Sequence, residues 1–202
     1  MHRIILSLWR ITDPLYYLLT RLHYINDKNN IFRVRTTVYK GYPLTLSDGT
    51  KINKNDILIK IHLHNIRLLS TLAPIQDDFQ RAKMFYHMIK HSLPGLAEYI
   101  YHHPMRDEIK AVIGISSLKL RSNTLGFEIR KLRNPIYKFL KWISLFPINY
   151  ISNSMFGSKH YEPYYFFMGK ETLLAKYLEQ ERILSADEPL SQLAYYKSYK
   201  MQ

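Results

Sequence analysis

Two histidines one residue apart, His62 and His64, followed directly by Asn65, form the densest group of side chains in this sequence with chemical potential. The preceding run Ile57-Leu58-Ile59-Lys60-Ile61 alternates as a strand does. Both imidazoles are therefore expected on one face, about 7 Å apart by strand rise. That separation suits a shared metal ion, but zinc needs a third protein ligand. The group also reads as the polar edge of an enzyme site, with His62, His64 and Asn65 as its candidate residues. The plainer alternative is a set of surface or hydrogen-bonded histidines. His87 and His91 are four apart on an expected helix, yet Met88-Ile89-Lys90 lies between them, so the glutamate of a metalloprotease helix is missing. On a helical wheel they sit opposite Phe79, Ala82 and Ile89, which predicts exposure. No metal is favoured on these incomplete ligand sets, and no cofactor is expected.

Asp48 and Asp56 have the residue type for paired acid/base work. Asp48, however, precedes Gly49 in a turn and Asp56 opens a strand, so both are expected to accept hydrogen bonds from backbone amides. No serine lies in a nucleophile elbow and no glycine-rich phosphate loop is present.

Charge supplies the other candidate. The chain has 202 residues and a net charge of +13, from 29 Lys and Arg against 16 Asp and Glu. Between residues 119 and 142, Lys119, Arg121, Arg130, Lys131, Arg133, Lys138 and Lys141 face Glu128 alone, with Tyr137, Phe139 and Trp142 interleaved. This composition suits an anionic membrane surface, where each Lys or Arg contributes about 1 kcal/mol. It also suits an acidic glycopolymer, or nucleic acid bound through phosphates and stacking. A solvated basic face on a packed helix is the competing reading. An AT-rich coding bias toward Ile, Lys, Asn and Tyr would raise the charge without any partner.

The elements that position these residues follow in order. Residues 3–11 and 14–24 read as short helices, with Thr12-Asp13-Pro14 as a start signal and Leu15, Leu18, Leu19 and Leu22 as a stripe. Phe32, Val34, Thr36 and Val38 alternate with Arg33, Arg35 and Thr37, placing the two arginines on the face opposite the apolar one. Leu44 and Leu46 begin a further strand, and Ser47-Asp48-Gly49-Thr50 is a hairpin turn. From Asp56, Ile57, Ile59, Ile61 and Leu63 are expected to face the core, with Leu58, Lys60, His62 and His64 on the other side. Ile75, Phe79, Ala82, Phe85, Tyr86, Ile89 and Leu93 mark a helix with Asp77 and Asp78 at its start, and Pro94 is expected to begin a second, ended by His103-Pro104. Ile109, Ala111, Ile113 and Ile115 alternate as a strand. A short helical Ser122–Leu125 follows, then a strand near Phe127–Leu132. Asn134-Pro135 starts a helix carrying Ile136, Phe139, Leu140, Ile143 and Phe146, Tyr164–Met168 is an aromatic strand, and Gly169-Lys170-Glu171-Thr172 opens a helix with Leu173, Leu174, Tyr177 and Leu178 inward.

This order predicts a single α+β domain with a small antiparallel or mixed sheet and several packed helices, rather than a doubly wound sheet. The domain is expected over 1–184, with an N-terminal helical segment at 1–24, a β-hairpin region at 31–65 and mixed helices and strands at 75–182. A polar, tyrosine-rich tail spans 185–202. The absence of cysteine excludes disulfides and thiolate chemistry. Neither a signal peptide nor a run of about 18 apolar residues is seen, so a cytoplasmic location is expected, with peripheral contact at the inner face of the membrane.

Tyr39-x-Gly41, Leu44-x-Leu46-x-Asp48-Gly49-Thr50-x-Ile52 and Asp56 through His62-Leu63-x-Asn65 resemble the YkoP-like family of bacterial proteins. Leu125-Gly126-Phe127-Glu128 and Tyr165-Phe166-Phe167-Met168 leading to Leu173-Leu174 are similar to its second half, so the resemblance covers nearly the whole chain. Such domains occur alone or joined to polysaccharide deacetylase-like domains, which implies a setting in cell-envelope carbohydrate metabolism. The metal-binding Asp and His motifs of the deacetylases are absent here, so that activity does not transfer. Where the family pattern tends to have glycine before the aspartate of its second turn, this chain has Asn55, a residue that tolerates a left-handed backbone. Together these readings predict an accessory domain, binding rather than catalytic, that engages an anionic lipid surface or glycopolymer through the 119–142 segment. An enzyme site at His62, His64 and Asn65 is the first alternative and nucleic-acid binding the second.

Overall fold

The computed structural model describes residues 22–25, 30–116, 122–141 and 162–187. The expected N-terminal helices up to residue 21, Lys119, Arg121, Trp142, Ile143, Phe146 and the chain beyond Asp187 lie outside them. Eight strands are described: β1 (His23–Tyr24), β2 (Phe32–Val38), β3 (Leu44–Thr45), β4 (Lys51–Ile52), β5 (Ile57–Leu63), β6 (Ile109–Ser116), β7 (Glu128–Lys131) and β8 (Tyr164–Gly169). The helices are α1 (Asn65–Leu72), α2 (Asp78–Tyr101), α3 (residues 135–141 of the described chain) and α4 (Lys170–Asp187), with a 3-10 turn at Ser122–Leu125.

The fold is α+β: a six-stranded mixed sheet in the order β1-β2-β5-β6-β8-β7, with β3 and β4 as a separate two-stranded sheet. Only β5 and β6 pair in parallel among the described strands. A parallel pair needs a long crossover, and α1 and α2 supply it. One face of the sheet packs on the helices. Phe32, Val34, Ile59, Val112, Phe166 and Met168 meet Leu68, Leu72, Phe85, Leu93, Leu96, Leu173 and Tyr177 in one continuous core. The other face carries a smaller core, where Leu58, Ala111, Ile113 and Phe167 are covered by Tyr39, Leu46 and Ile52. The Leu58 side of β5, read from sequence as solvent or chemistry, is thus a second core at that end.

Several expectations need correction. His23–Tyr24, placed at the end of a helix, are an edge strand paired with Val34 and Arg33. Pro94 does not begin a helix, because α2 runs continuously through it. Leu93, Leu96 and Ala97 are fully buried on either side of the proline. Asn30 Nδ2 also donates to the Ser92 carbonyl at 2.9 Å, and Ser92 Oγ accepts from Ile31 N at 3.0 Å. These tertiary contacts outweigh the single ladder bond that proline removes. Asp77 caps the start of α2, with Oδ1 accepting from Gln80 N at 2.7 Å. The buried stripe runs through Phe85, Leu93, Leu96 and Ile100, whereas Phe79 is 72% exposed. In β6 the pairing with β5 shifts between Ile57 and Leu58, so Lys110 has no partner residue. That bulge sends Ile109 to the helix side and Ala111 to the hairpin side, splitting the single face the alternation implied.

The hairpin is fastened at its tip. Thr50 N donates to Asp48 Oδ1 at 2.9 Å, and Asp56 Oδ2 accepts from Asn53 N at 2.7 Å, as expected for turn carboxylates. The other Asp48 oxygen accepts from the Thr172 hydroxyl in the first turn of α4. A Cβ on Gly169 would collide with that carboxylate, so glycine is required there. Ser47 bonds the Glu128 carboxylate of β7. Burial pushes the Asp48 carboxyl up, but the hydrogen bonds from Thr172 and Thr50 win and hold it below its ordinary value. Asn55 adopts φ 75°, the left-handed conformation its side chain tolerates, and its N–H donates to the Tyr39 carbonyl at 2.8 Å.

Candidate functional site

The antiparallel register of β2 and β5 sets Arg33 opposite His62 and Arg35 opposite Lys60. Thr37 and Leu58 complete that face, so its hairpin end is apolar and its far end cationic. The hairpin segment around β3 and β4 packs on Leu58. Lys60 and His62 stand half-buried beside the 2%-exposed Arg33 and the half-buried Arg35. Lys141, from α3, is close enough for its charge to act on Lys60 and His62.

The electrostatic consequence is large. Burial, with Lys141 and Arg35 adding, pulls the Lys60 ammonium down to about 8. Burial, reinforced by Lys60, Arg35, Lys141 and Arg33, pulls His62 down to about 3, leaving it neutral near pH 7. Lys141 is lowered by burial and by Arg35. Neighbouring cations add to the effect of burial at all three groups. Arg35 Nε is buried with no hydrogen-bond acceptor. Ion pairs form at Arg81–Asp78, Arg130–Glu128, Lys138–Glu162 and Lys170–Glu171.

The sequence-predicted trio does not stay together. His62 belongs to the cation cluster, but His64 leaves the strand. The His64 carbonyl accepts from Leu68 N at 3.0 Å, its Nδ1 meets Arg67 N at 3.4 Å, and its ring packs 5.8 Å from Tyr24. His64 therefore caps α1, and Asn65 is that helix's first residue. The expected parallel projection of the two histidines fails because the chain turns into α1 at the end of β5. His87 and His91 are exposed, with rings stacked at 6.2 Å. No group of three His, Asp or Glu residues able to hold a metal occurs among the described residues.

The basic segment is also divided. Arg130 pairs with Glu128 at 2.9 Å and reaches the Thr45 carbonyl at 3.3 Å, while Lys138 pairs with Glu162. Lys131 and Arg133 are exposed, and the Arg133 guanidinium lies 5.8 Å from the centroid of the Tyr42 ring. Asn134 Oδ1 accepts from Tyr137 N at 2.9 Å, capping α3 as its sequence predicts. Its sides are inverted relative to an ordinary amphipathic helix. Tyr137, Lys138 and Lys141 are half-buried toward the sheet, with the Tyr137 ring stacked on Tyr165 at 6.4 Å. Ile136, Phe139 and Leu140 are 73%, 59% and 57% exposed.

Arg33, Arg35 and Lys60 did not stand out in the sequence. The signal was present as two alternating strands with cations on the face away from the core, but the strand pairing that sums those charges was not legible.

The family model described as YkoP domain matches residues 2–177. The chain is 40% identical over 178 residues to Uncharacterized protein YkoP of Bacillus subtilis (strain 168), covering 87% of this chain and 97% of that one. No solved structure matches.

Proposed function

The chain belongs to the YkoP domain family, and on that premise we propose that it is a binding module that docks on an anionic lipid surface through α3. The observation that carries this reading is the outward turn of Ile136, Phe139 and Leu140 on a helix preceded by the exposed cations Lys131 and Arg133. Apolar side chains inserted at the headgroup boundary gain burial energy, about 1.5–3 kcal/mol each when fully buried. Exposed Lys and Arg add about 1 kcal/mol apiece near anionic lipid. The two contributions act at one place if they share one surface, and the closeness of residues 131–140 in the chain supports that. The net charge of +13 favours approach to such a surface from a distance. No helix among the described residues is long and apolar enough to cross a membrane. The setting we infer for the module is an accessory role in envelope lipid or polysaccharide metabolism.

Co-sedimentation with phosphatidylglycerol-containing and pure phosphatidylcholine vesicles tests the reading. Recovery should be high on the anionic vesicles, low on the neutral ones, and lost in a Phe139→Asp/Leu140→Asp double variant. Equal recovery on both compositions, or undiminished recovery of the double variant, would overturn it. Duplex DNA added as competitor gives a third result: if it abolishes lipid binding and itself binds with a steep salt dependence, the nucleic-acid alternative takes precedence.

A further inference from the structure

We propose that the docking surface has a second, aromatic anchor: Tyr42 of the hairpin segment enters the anionic lipid interface together with Ile136 and Leu140, so that α3 lies along the membrane instead of entering it by one end. The inference rests on the docking of α3 proposed above and adds an orientation to it. Tyr42 is 69% exposed, and its ring centroid lies 5.8 Å from the guanidinium of Arg133, the residue before the Asn134 cap of α3. A tyrosine ring joins an apolar body to a polar hydroxyl, the composition favoured at the headgroup boundary. Exposed Lys40 stands two residues before Tyr42, and exposed Lys131 two residues before Arg133. Both chain segments that meet at this ring therefore carry cations, the complement of an anionic headgroup layer.

Tyr42 and α3 are parts of one frame. The Tyr39 hydroxyl donates to the Tyr42 carbonyl at 2.9 Å, and a Cβ on Gly41 would collide with the Tyr39 ring, so contacts of Tyr39 fix the bend that presents Tyr42. From Tyr39 a row of rings leads to α3, with centroids 6.0 Å apart from Tyr39 to Phe167, 5.6 Å from Phe167 to Tyr165 and 6.4 Å from Tyr165 to Tyr137. Tyr39, Phe167 and Tyr165 belong to the core on the hairpin side of the sheet, whereas α2 packs on the opposite side. Tyr42 and α3 are thus tied to the same side of the sheet before any lipid is met, which keeps the cost of ordering them on docking low.

The chain contains no cysteine, so Tyr42→Cys, Leu140→Cys and Met84→Cys variants of the full chain can each be labelled at one position with the environment-sensitive fluorophore NBD and titrated with phosphatidylglycerol-containing vesicles. The probes at positions 42 and 140 should brighten and shift to the blue over the same range of lipid concentration. The probe at position 84, exposed on α2 and so on the other side of the sheet, should keep its emission in water. In unlabelled protein, Tyr42→Ser should weaken partitioning onto these vesicles about fivefold and Tyr42→Trp should restore it, because an interfacial aromatic is what the anchor requires. A probe at 42 that stays in water while the one at 140 responds, or a Tyr42→Ser variant that binds as tightly as the wild type, would overturn the second anchor and leave the docking of α3 standing. No response at 140 would overturn the docking of α3 and this inference with it. A response at 84 equal to that at 42 would show adsorption without a fixed face and would overturn the orientation.

Discussion

The face of β5 that carries Leu58, Lys60 and His62 divides into two regions made by the same strands. At one end Leu58 and its β6 partner Ala111 are fully buried beneath Tyr39, Leu46 and Ile52 of the hairpin segment. At the other, Arg33, Arg35, Lys60 and His62 are gathered with Lys141, outside either apolar cluster. Backbone geometry is shared, so the cover decides the difference. An apolar position under the hairpin adds burial energy, while a cation outside that core loses hydration and gains a like-charged neighbour. The first region is built for stability, whereas in the second burial and neighbouring cations lower the basicity of Lys60.

The sharpest way to break this comparison is at the covered end. Leu58→Ala removes a fully buried side chain between two closed layers, and urea unfolding should show a loss of about 2–5 kcal/mol. A loss under 1 kcal/mol would mean that the hairpin core is not a real second core.

At the cationic end the sign should reverse. Lys60→Met keeps the apolar stem and removes the repelled charge, so at pH 7 it should gain about 1 kcal/mol after solvent screening. The wild-type chain should become more stable as pH rises from about 8 toward the ordinary lysine range, because the folded state gives up the Lys60 proton more readily than the unfolded one. The variant should lack that slope. On the acid side, folded His62 resists protonation down to about 3, so stability should fall as pH drops below about 6.5, and His62→Gln should flatten that fall. If Lys60→Met is instead destabilised, the cluster is a structural network and not a held set of repelling charges.

The hairpin's fastening ranks next. Asp48→Ala removes the hydrogen bonds to Thr50 and Thr172 and should cost about 1 kcal/mol, an effect that disappears at acid pH once the native carboxyl is itself protonated. The smallest effect is expected at Asn55. At φ 75°, Asn55→Gly should be neutral within about 0.5 kcal/mol, while Asn55→Val should cost about 1 kcal/mol or more, since a β-branched residue is strained there. Equal stability of the two would show that the turn relaxes.

Local patterns were legible where one residue's chemistry decides the outcome. The Asp48-Gly49 turn, the left-handed Asn55 and the Asn134 cap could all be read in advance, because turn and cap residues act on their own backbone. The strands at 32–38 and 57–63 followed from alternation, as did the placement of Arg33 and Arg35 away from the main core. Readings failed where packing overrode local preference: α2 continuing through Pro94, the bulge at Lys110, and His64 turning from strand into helix cap.

The sequence by itself determined the family, the α+β class, the excess of positive charge and which side chains β2 and the 57–62 part of β5 send to each face, because these depend on composition and on a two-residue period. Only the tertiary structure decided that the hairpin covers Leu58, that Arg35 faces Lys60, and that α3 turns its apolar side outward. Those facts depend on register and on contacts between residues far apart in the chain, and a period along one strand contains no information about what will be laid on top of it.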